Sequence, residues 1–311
     1  MENKKNWKAW LYLAPTIILL AIFTFYPLVN TILLSFVNDY ETGDTFLSAA
    51  AANGLGFSNY KSLFVTYSGD VTDFAKYALP NTVIICFVTV PISIAVALLI
   101  AVGLNSIKVL GKVYQTIFFV PYVTNAIAVG MVFAVIFEGD NGLWNAIFGL
   151  GNHPWVGRNS AGEYPTTFAS FFALCVYIVW HALPYKILIL LAGIQNIDKQ
   201  YYQAAKIDCA GKAKTFFRIT VPLLSPQIVY ILITSLIGGF KEYTSVVGLF
   251  NGKSNHGSTS LLYNMYTVVY FIYDNIGDRP QVASAAAVVL LIIIMIFTIF
   301  QKTVLDKRTH Y

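Results

Sequence analysis

Two short stripes of side chains carry the chemistry this sequence offers. Ile178, His181, Ala182 and Tyr185 fall at i, i+3, i+4 and i+7, and Ser235, Gly238, Gly239 and Glu242 repeat that spacing. On a helix, each set lies along one face. Together they present an aromatic face, a hydroxyl, room beside two glycines and a carboxylate able to accept two hydroxyls. That equipment suits holding a hydroxyl-rich solute rather than breaking a bond. Small residues are equally at home where membrane helices pack, so Gly238 and Gly239 fit either role. Glu242 is harder to assign to packing, because an ionisable group inside an apolar segment is costly without a function. Lys241 is adjacent in sequence but does not share its face, so a direct ion pair is not assured. His181 has no second His, Cys or carboxylate at ligand spacing, which argues against a metal site. Tyr122 and Asn125 follow Pro121, which frees a backbone carbonyl that a nearby polar residue can satisfy; structure is the first reading there and pore lining the second. Lys186 is read as snorkelling to the cytoplasmic surface. No clustered His, Asp or Cys suggests a catalytic site.

The elements that must position these stripes are membrane spans. Of 311 residues, 57% are hydrophobic and 11% charged, against about 25% charged in soluble domains. Six runs lack Asp, Glu, Lys and Arg, at 9–38, 77–107, 113–137, 164–185, 219–240 and 280–301. Each is long enough to cross a hydrocarbon core. The apolar runs are continuous rather than alternating, which excludes a barrel reading. The expectation is an all-α membrane protein, a single domain over 1–311 with six transmembrane helices near 10–36, 79–104, 113–137, 167–194, 224–249 and 281–302. The loops at 39–76, 138–163 and 251–279 are rich in Gly, Asn, Asp, Ser and aromatics and read as ordered, partner-facing caps.

Charge sets the orientation. Lys4, Lys5, Lys8, Lys108, Lys112, Lys199, Lys206, Lys212, Lys214, Arg218, Lys302, Lys307 and Arg308 fall on one side, and only Lys61, Lys76, Arg158, Lys253 and Arg279 on the other. The positive-inside rule makes the first side cytoplasmic, with both termini inside. The apolar run after Lys4, Lys5 and Lys8 is too long for a signal peptide and no small-residue cleavage site closes it, so it stays as the first span. Cys86 and Cys175 fall in spans and Cys209 in a cytoplasmic loop, so all three read as unpaired. No GxxxxGK[ST] sequence occurs; if ATP drives this protein, another chain binds it.

Between the fourth and fifth runs lies a basic, Ala-rich segment, 195–223, whose centre reads Gln203-Ala-Ala-Lys-Ile-Asp-Cys-Ala-Gly211 and which closes at Pro222. Ala, Lys and Gln favour a helix there, at the membrane surface. The segment resembles the EAA loop of ABC-transporter permeases. Further short patterns follow the same order: Tyr12-Leu-Ala-Pro15, Phe25-Tyr-Pro27, Asn81-Thr82, Leu104-Asn105, Phe119-Val-Pro-Tyr122, Gly142-Leu-Trp-Asn145, Leu191-Ala-Gly-Ile-Gln195 and Ala283-Ser-Ala285. Over nearly its whole length the chain is similar to the binding-protein-dependent carbohydrate importers, in particular the first permease subunit of maltose and glycerol-phosphate type systems.

The resemblance implies a type I importer bundle in the bacterial plasma (inner) membrane. It implies a second homologous permease subunit, two cytoplasmic ATPase subunits that hold ATP and magnesium, and an extracellular solute-binding protein. No cofactor is expected in this chain and no nucleic acid among its partners. Gln203, Ala204, Ala205, Asp208, Cys209, Ala210 and Gly211 are the implied ATPase-coupling residues. The implied substrate path comprises Tyr122, Asn125 and the two stripes. Two residues depart from the family pattern: Gln203 replaces the usual Glu and loses charge assistance, and Cys209 replaces a Gly and argues against a left-handed backbone there. The expected cargo is a neutral oligosaccharide, with Glu242 disfavouring a strongly anionic ligand. Glycerol phosphate or a polyamine is the alternative within this architecture, although no Arg lies inside any span to hold a phosphate. A stand-alone ion-coupled carrier is the rival of a different class.

Overall fold

The computed structural model describes residues 6–40, 43–65, 72–107, 111–250 and 265–305. Lys4, Lys5, Lys108, Lys253, Lys307 and Arg308, which helped set the orientation above, lie outside the described residues. Among the described residues the chain is helical, with no strand beyond one isolated bridge between Val37 and Leu55. It divides into two compact units, residues 1–76 with 270–292 and residues 77–269 with 293–311.

The first unit begins with helices α1 (Asn6–Leu20) and α2 (Tyr26–Leu34), made continuous by a π turn over Ala21–Phe25. Short helices α3 (Phe46–Asn53) and α4 (Ser58–Phe64) follow. Thr45 caps α3 by accepting the Ser48 N–H, and Ser48 returns a bond to the Thr45 N–H at 3.0 Å, so two otherwise orphaned donors are satisfied. Buried Asn59 donates to the Ser35 and Val37 carbonyls at 3.0 and 2.8 Å and fixes α4 to the end of α2. The α1–α2 span keeps its apolar side chains exposed, Tyr12 at 81% and Phe23 at 73%, as suits a surround of hydrocarbon or another chain's helices.

The second unit holds α5 (Leu79–Ser106), α6 (Gly111–Val123), α7 (Ala126–Ile136), α8 (Leu143–Phe148) and α9 (Thr167–Asn196). A short surface helix α10 (Lys199–Ile207) leads to α11 (Lys212–Thr215), a π turn at Phe216–Thr220 and α12 (Val221–Leu223). Then come α13 (Ser225–Phe240) and α14 (Thr244–Phe250). The remaining helices, α15 (Val268–Asn275) and α16 (Pro280–Leu305), run across the division of the units. In the second unit α5 packs along α9, with α13 on α5, α6 on α9 and α14 on α7. The turn over 138–163 is ordered around buried Asn145, which donates to the Gly139 and His153 carbonyls and accepts the Trp155 indole N–H at 2.7 Å.

Four helices are long and apolar enough to cross a membrane, and up to six spans result if each of two bent pairs, Val113–Val123 with Ala126–Ile136 and Lys212–Leu223 with Ser225–Phe240, counts as one. The expected third span is not one continuous helix. It breaks at Thr124 and Asn125, and its halves α6 and α7 meet at 99°. Pro121 removes one ladder donor, and the extended Asn125 restarts the chain by accepting the Ile127 and Ala128 N–H groups at 2.9 and 3.3 Å. The expected helix over 224–249 likewise stops at Phe240 and restarts at Thr244. The halves beyond these two breaks, α7 and α14, touch backbone to backbone: a Cβ placed on Gly130 lies 2.7 Å from the Gly248 Cα.

Only glycine fits that crossing. Gly248→Val should therefore lower the thermal stability of the purified protein by about 1–3 kcal/mol, the usual cost of overpacking. Val at Gly103, where an added Cβ meets nothing within 4 Å, is the control and should leave the melting temperature near that of the wild type.

Candidate functional site

The walls of one cavity, about 430 Å³ in volume, are built wholly within the second unit. That size suits a small solute, for which sites run to about 300–1,000 Å³. Every residue of both sequence stripes lines it. Ile178, His181, Ala182 and Tyr185 come from α9; Ser235, Gly238 and Gly239 come from α13; Glu242 follows just beyond. Tyr122 reaches it from α6, stacked on Tyr185 with ring centroids 6.0 Å apart and planes 16° from parallel. The Tyr185 hydroxyl is shared with Tyr230 at 3.2 Å. His181 Nε2 is buried with no hydrogen-bond partner among the described residues.

Four readings change. Asn125 does not line the cavity; its side chain is occupied as the cap of α7, and the carbonyl of Pro121 is taken by Thr124 Oγ1 at 2.7 Å. Glu242 sits in the gap between α13 and α14, not on a continuing helix. There its Oε1 accepts the Ser245 N–H at 3.0 Å, and its own carbonyl accepts Thr267 Oγ1 at 2.8 Å. Lys186 does not snorkel: it is buried, donates to Ser93 Oγ, and lines the cavity. The two glycines divide the roles left open between them. A Cβ on Gly238 would meet nothing within 4 Å, whereas one on Gly239 would lie 2.9 Å from Cys86 Sγ. Gly238 gives space and Gly239 gives close packing.

Thr89, Val90, Ser93 and Thr234 also line the wall and were missed. Thr89 and Ser93 stand four apart in a charge-free run, a signal available in the sequence. Each hydroxyl donates back to its own helix, Thr89 to Ile85 at 2.8 Å, Ser93 to Val90 at 2.9 Å and Thr234 to Tyr230 at 2.9 Å. Their oxygens remain able to accept a bond from a solute.

The basic segment forms the expected surface helix. Asp198 caps α10 through the Gln200 N–H at 2.9 Å. Gln203, Ala204, Asp208, Cys209 and Gly211 are exposed, Ala210 is half-buried and Ala205 is buried. Cys209 has φ +49°, contrary to the sequence expectation. The reason is the way the helix ends: the Cys209 N–H bonds the Lys206 carbonyl at 3.1 Å and the Ala210 N–H bonds the Ala205 carbonyl at 2.9 Å. That pair of bonds is the Schellman closure, which needs a left-handed residue and forces one on a cysteine.

With cavity and surface helix in place, comparison with known proteins is decisive. Residues 93–311 match the family described as the binding-protein-dependent transport system inner membrane component. The chain belongs to this family. It is 30% identical over 297 residues to the arabinooligosaccharides transport system permease protein of Bacillus subtilis, covering 93% of this chain and 86% of that one. It is also 30% identical over 290 residues to the lactose transport system permease protein of Rhizobium radiobacter, covering 92% and 89%. Among solved structures it resembles a bacterial ABC transporter involved in the import of the acidic polysaccharide alginate, with TM-score 0.79 and 19% identity over 98% of this chain and 97% of that one. That likeness establishes the fold. As an inner membrane component of such a system, the chain is a multi-pass membrane protein, and its cavity and surface helix are features of a transport subunit.

Gly238→Ala should leave the melting temperature unchanged, while Gly239→Ala should lower stability by about 1–3 kcal/mol and recover when Cys86→Ala removes the opposing sulfur. Cys209→Gly should raise stability by about 1 kcal/mol, since a left-handed residue with a Cβ carries a penalty of that order. Thermal denaturation in detergent checks both.

Proposed function

We propose that this chain is a membrane-spanning permease subunit of an ATP-driven oligosaccharide importer in a bacterial plasma membrane. On this reading it crosses the bilayer six times, α6 with α7 counting as one span and α13 serving as another, with both termini cytoplasmic. It pairs with a second, homologous permease. A solute-binding protein delivers the sugar outside, and two ATPase subunits carrying ATP and magnesium dock inside. The chain performs no covalent step; it forms the path and transmits closure of the ATPases to it.

The observation that carries this reading is α10. It is short, polar and exposed along Gln203, Ala204 and Asp208, yet it also exposes Tyr201 at 53% and Ile207 at 83%. Exposed apolar side chains on a basic surface helix are a docking signature rather than a solvated loop. Gln203, in place of the usual Glu, then meets its ATPase partner through neutral hydrogen bonds. The sugar cargo is supported by the relatives' transport of arabinooligosaccharides and lactose, and by the stacked Tyr122 and Tyr185 beside the hydroxyls of Thr89, Ser93 and Ser235. Membership of a binding-protein-dependent family favours this over a stand-alone carrier.

Purification from native membranes should bring down an ATPase and a second permease with the chain. Ala204→Asp places a carboxylate on the exposed face of α10 without disturbing its buried side. It should lower ATPase co-purification and sugar uptake together by about tenfold or more, as expected when an unpaired charge enters a docked interface. Unchanged association and uptake would refute the coupling role.

A further inference from the structure

The cavity contains a cation for which a neutral cargo has no special need. Lys186 is only 4% exposed yet stands on the cavity wall. Its ammonium donates to Ser93 Oγ, and the Ser93 hydroxyl donates in turn to the Val90 carbonyl at 2.9 Å. The serine oxygen is thereby turned to receive the lysine, which fixes the ammonium on the wall and leaves two of its three donors uncommitted. Among the described residues no carboxylate pairs with it. The carboxylate on the wall, Glu242, has Oε1 engaged by the Ser245 N–H. An ionisable group within a span marks a solute path when it faces a cavity, and an ammonium without a counter-charge seeks one.

Resting on the sugar-importer reading above, we propose that Lys186, positioned by Ser93, is the specificity-determining group of this cavity and receives the carboxylate of an acidic sugar unit, a uronic acid residue. One ammonium matches one carboxylate. A phosphate dianion calls for several donors, an arginine fork or a helix N-terminus, and Lys186 is the sole Lys or Arg among the lining residues. The Tyr122–Tyr185 pair supplies the stacking face for the pyranose ring, and His181 Nε2 is a second buried polar atom awaiting a hydroxyl. Glu242, expected from sequence to disfavour an anionic ligand, lines the same cavity with Oε1 held by the Ser245 N–H, so the wall carries one acid and one cation, and the preference rests on the cation.

The test uses the complete importer, with its partner permease, ATPases and binding protein, reconstituted in vesicles. Uptake of a uronate trisaccharide is compared with that of its carboxyl-reduced, neutral counterpart. The wild type should take up the uronate at least as fast. Lys186→Met should lower uronate uptake about tenfold more than neutral uptake, the difference expected from losing a charge-assisted contact, and Lys186→Arg should keep the preference. Wild-type uptake of the neutral sugar alone, or an equal loss of both sugars in Lys186→Met, overturns the proposal. If Lys186→Met does not assemble, Ser93→Ala decides: it keeps the cation and should lower the uronate-to-neutral ratio several-fold, and an unchanged ratio overturns the proposal. Uptake of neither sugar by an assembled wild type would instead overturn the sugar-importer reading itself.

Discussion

The architecture of the second unit follows from one constraint: backbone groups placed in hydrocarbon must be satisfied within the protein. A helix meets it automatically, and a broken helix does not. This chain breaks two of its apolar runs, and at each break side chains replace the missing ladder. At the first, Asn125 takes the Ile127 and Ala128 N–H groups, Thr124 takes the Pro121 carbonyl, and the buried Tyr177 hydroxyl takes the Ala126 carbonyl at 2.5 Å. At the second, Glu242 takes the Ser245 N–H and Thr267 takes the Glu242 carbonyl. The helices beyond the breaks then meet at Gly130 and Gly248, where a Cβ on Gly130 would collide with backbone and one on Gly248 would be tight against it.

These breaks are also why a cavity exists. Turning α7 by 99° leaves Tyr122 at the rim of an opening rather than in a seam. Ending α13 at Phe240 leaves Gly238 beside open space, while Gly239 keeps the helix pressed on Cys86 of α5. The polar groups that mend the backbone and those that face the solute are thus near neighbours in sequence. Glu242 belongs to both sets: its Oε1 mends the backbone while the residue also lines the cavity.

Much of this was legible in the sequence, for a physical reason. Absence of charge over about twenty residues is a signal that does not depend on period or partner, so both ends of α5 and α9 and the start of α13 lie close to their expected places. Helical spacing put each stripe on one face of its helix, and all eight residues line the cavity, because α9 and most of α13 are regular where the stripes lie. The breaks were not legible. An apolar composition is the same in a helix and in two half-helices, and Pro121 is as consistent with a kink as with a 99° turn. The stop at Phe240 is fixed by bonds from Glu242 to residues 245 and 267, the second far along the chain. Lys186 was misread for a related reason: sequence shows its distance from a helix end, but not that Ser93 of α5 stands opposite. Cys209 shows a local preference overruled, since closing α10 with two backbone bonds outweighs the cost of a left-handed cysteine.

The same packing limits how the surface helix can move. α10 follows α9 after a short extended link at Ile197 and Asp198, and Tyr202 ties it to Thr220 of the adjoining π turn at 3.2 Å. Where α9 meets the start of α13 the helices are in side-chain contact: a Cβ on Gly193 would lie 2.8 Å from Leu224 Cδ2 and 3.1 Å from the Gln227 side chain. A close-packed junction transmits displacement instead of absorbing it. A push on α10 therefore reaches α9 and α13 together, and those two helices carry most of the cavity wall. What joins the surface helix to the cavity is thus the packed corner at Gly193, with Tyr185 and Lys186 two turns away on one arm and Ser235 and Gly238 farther along the other.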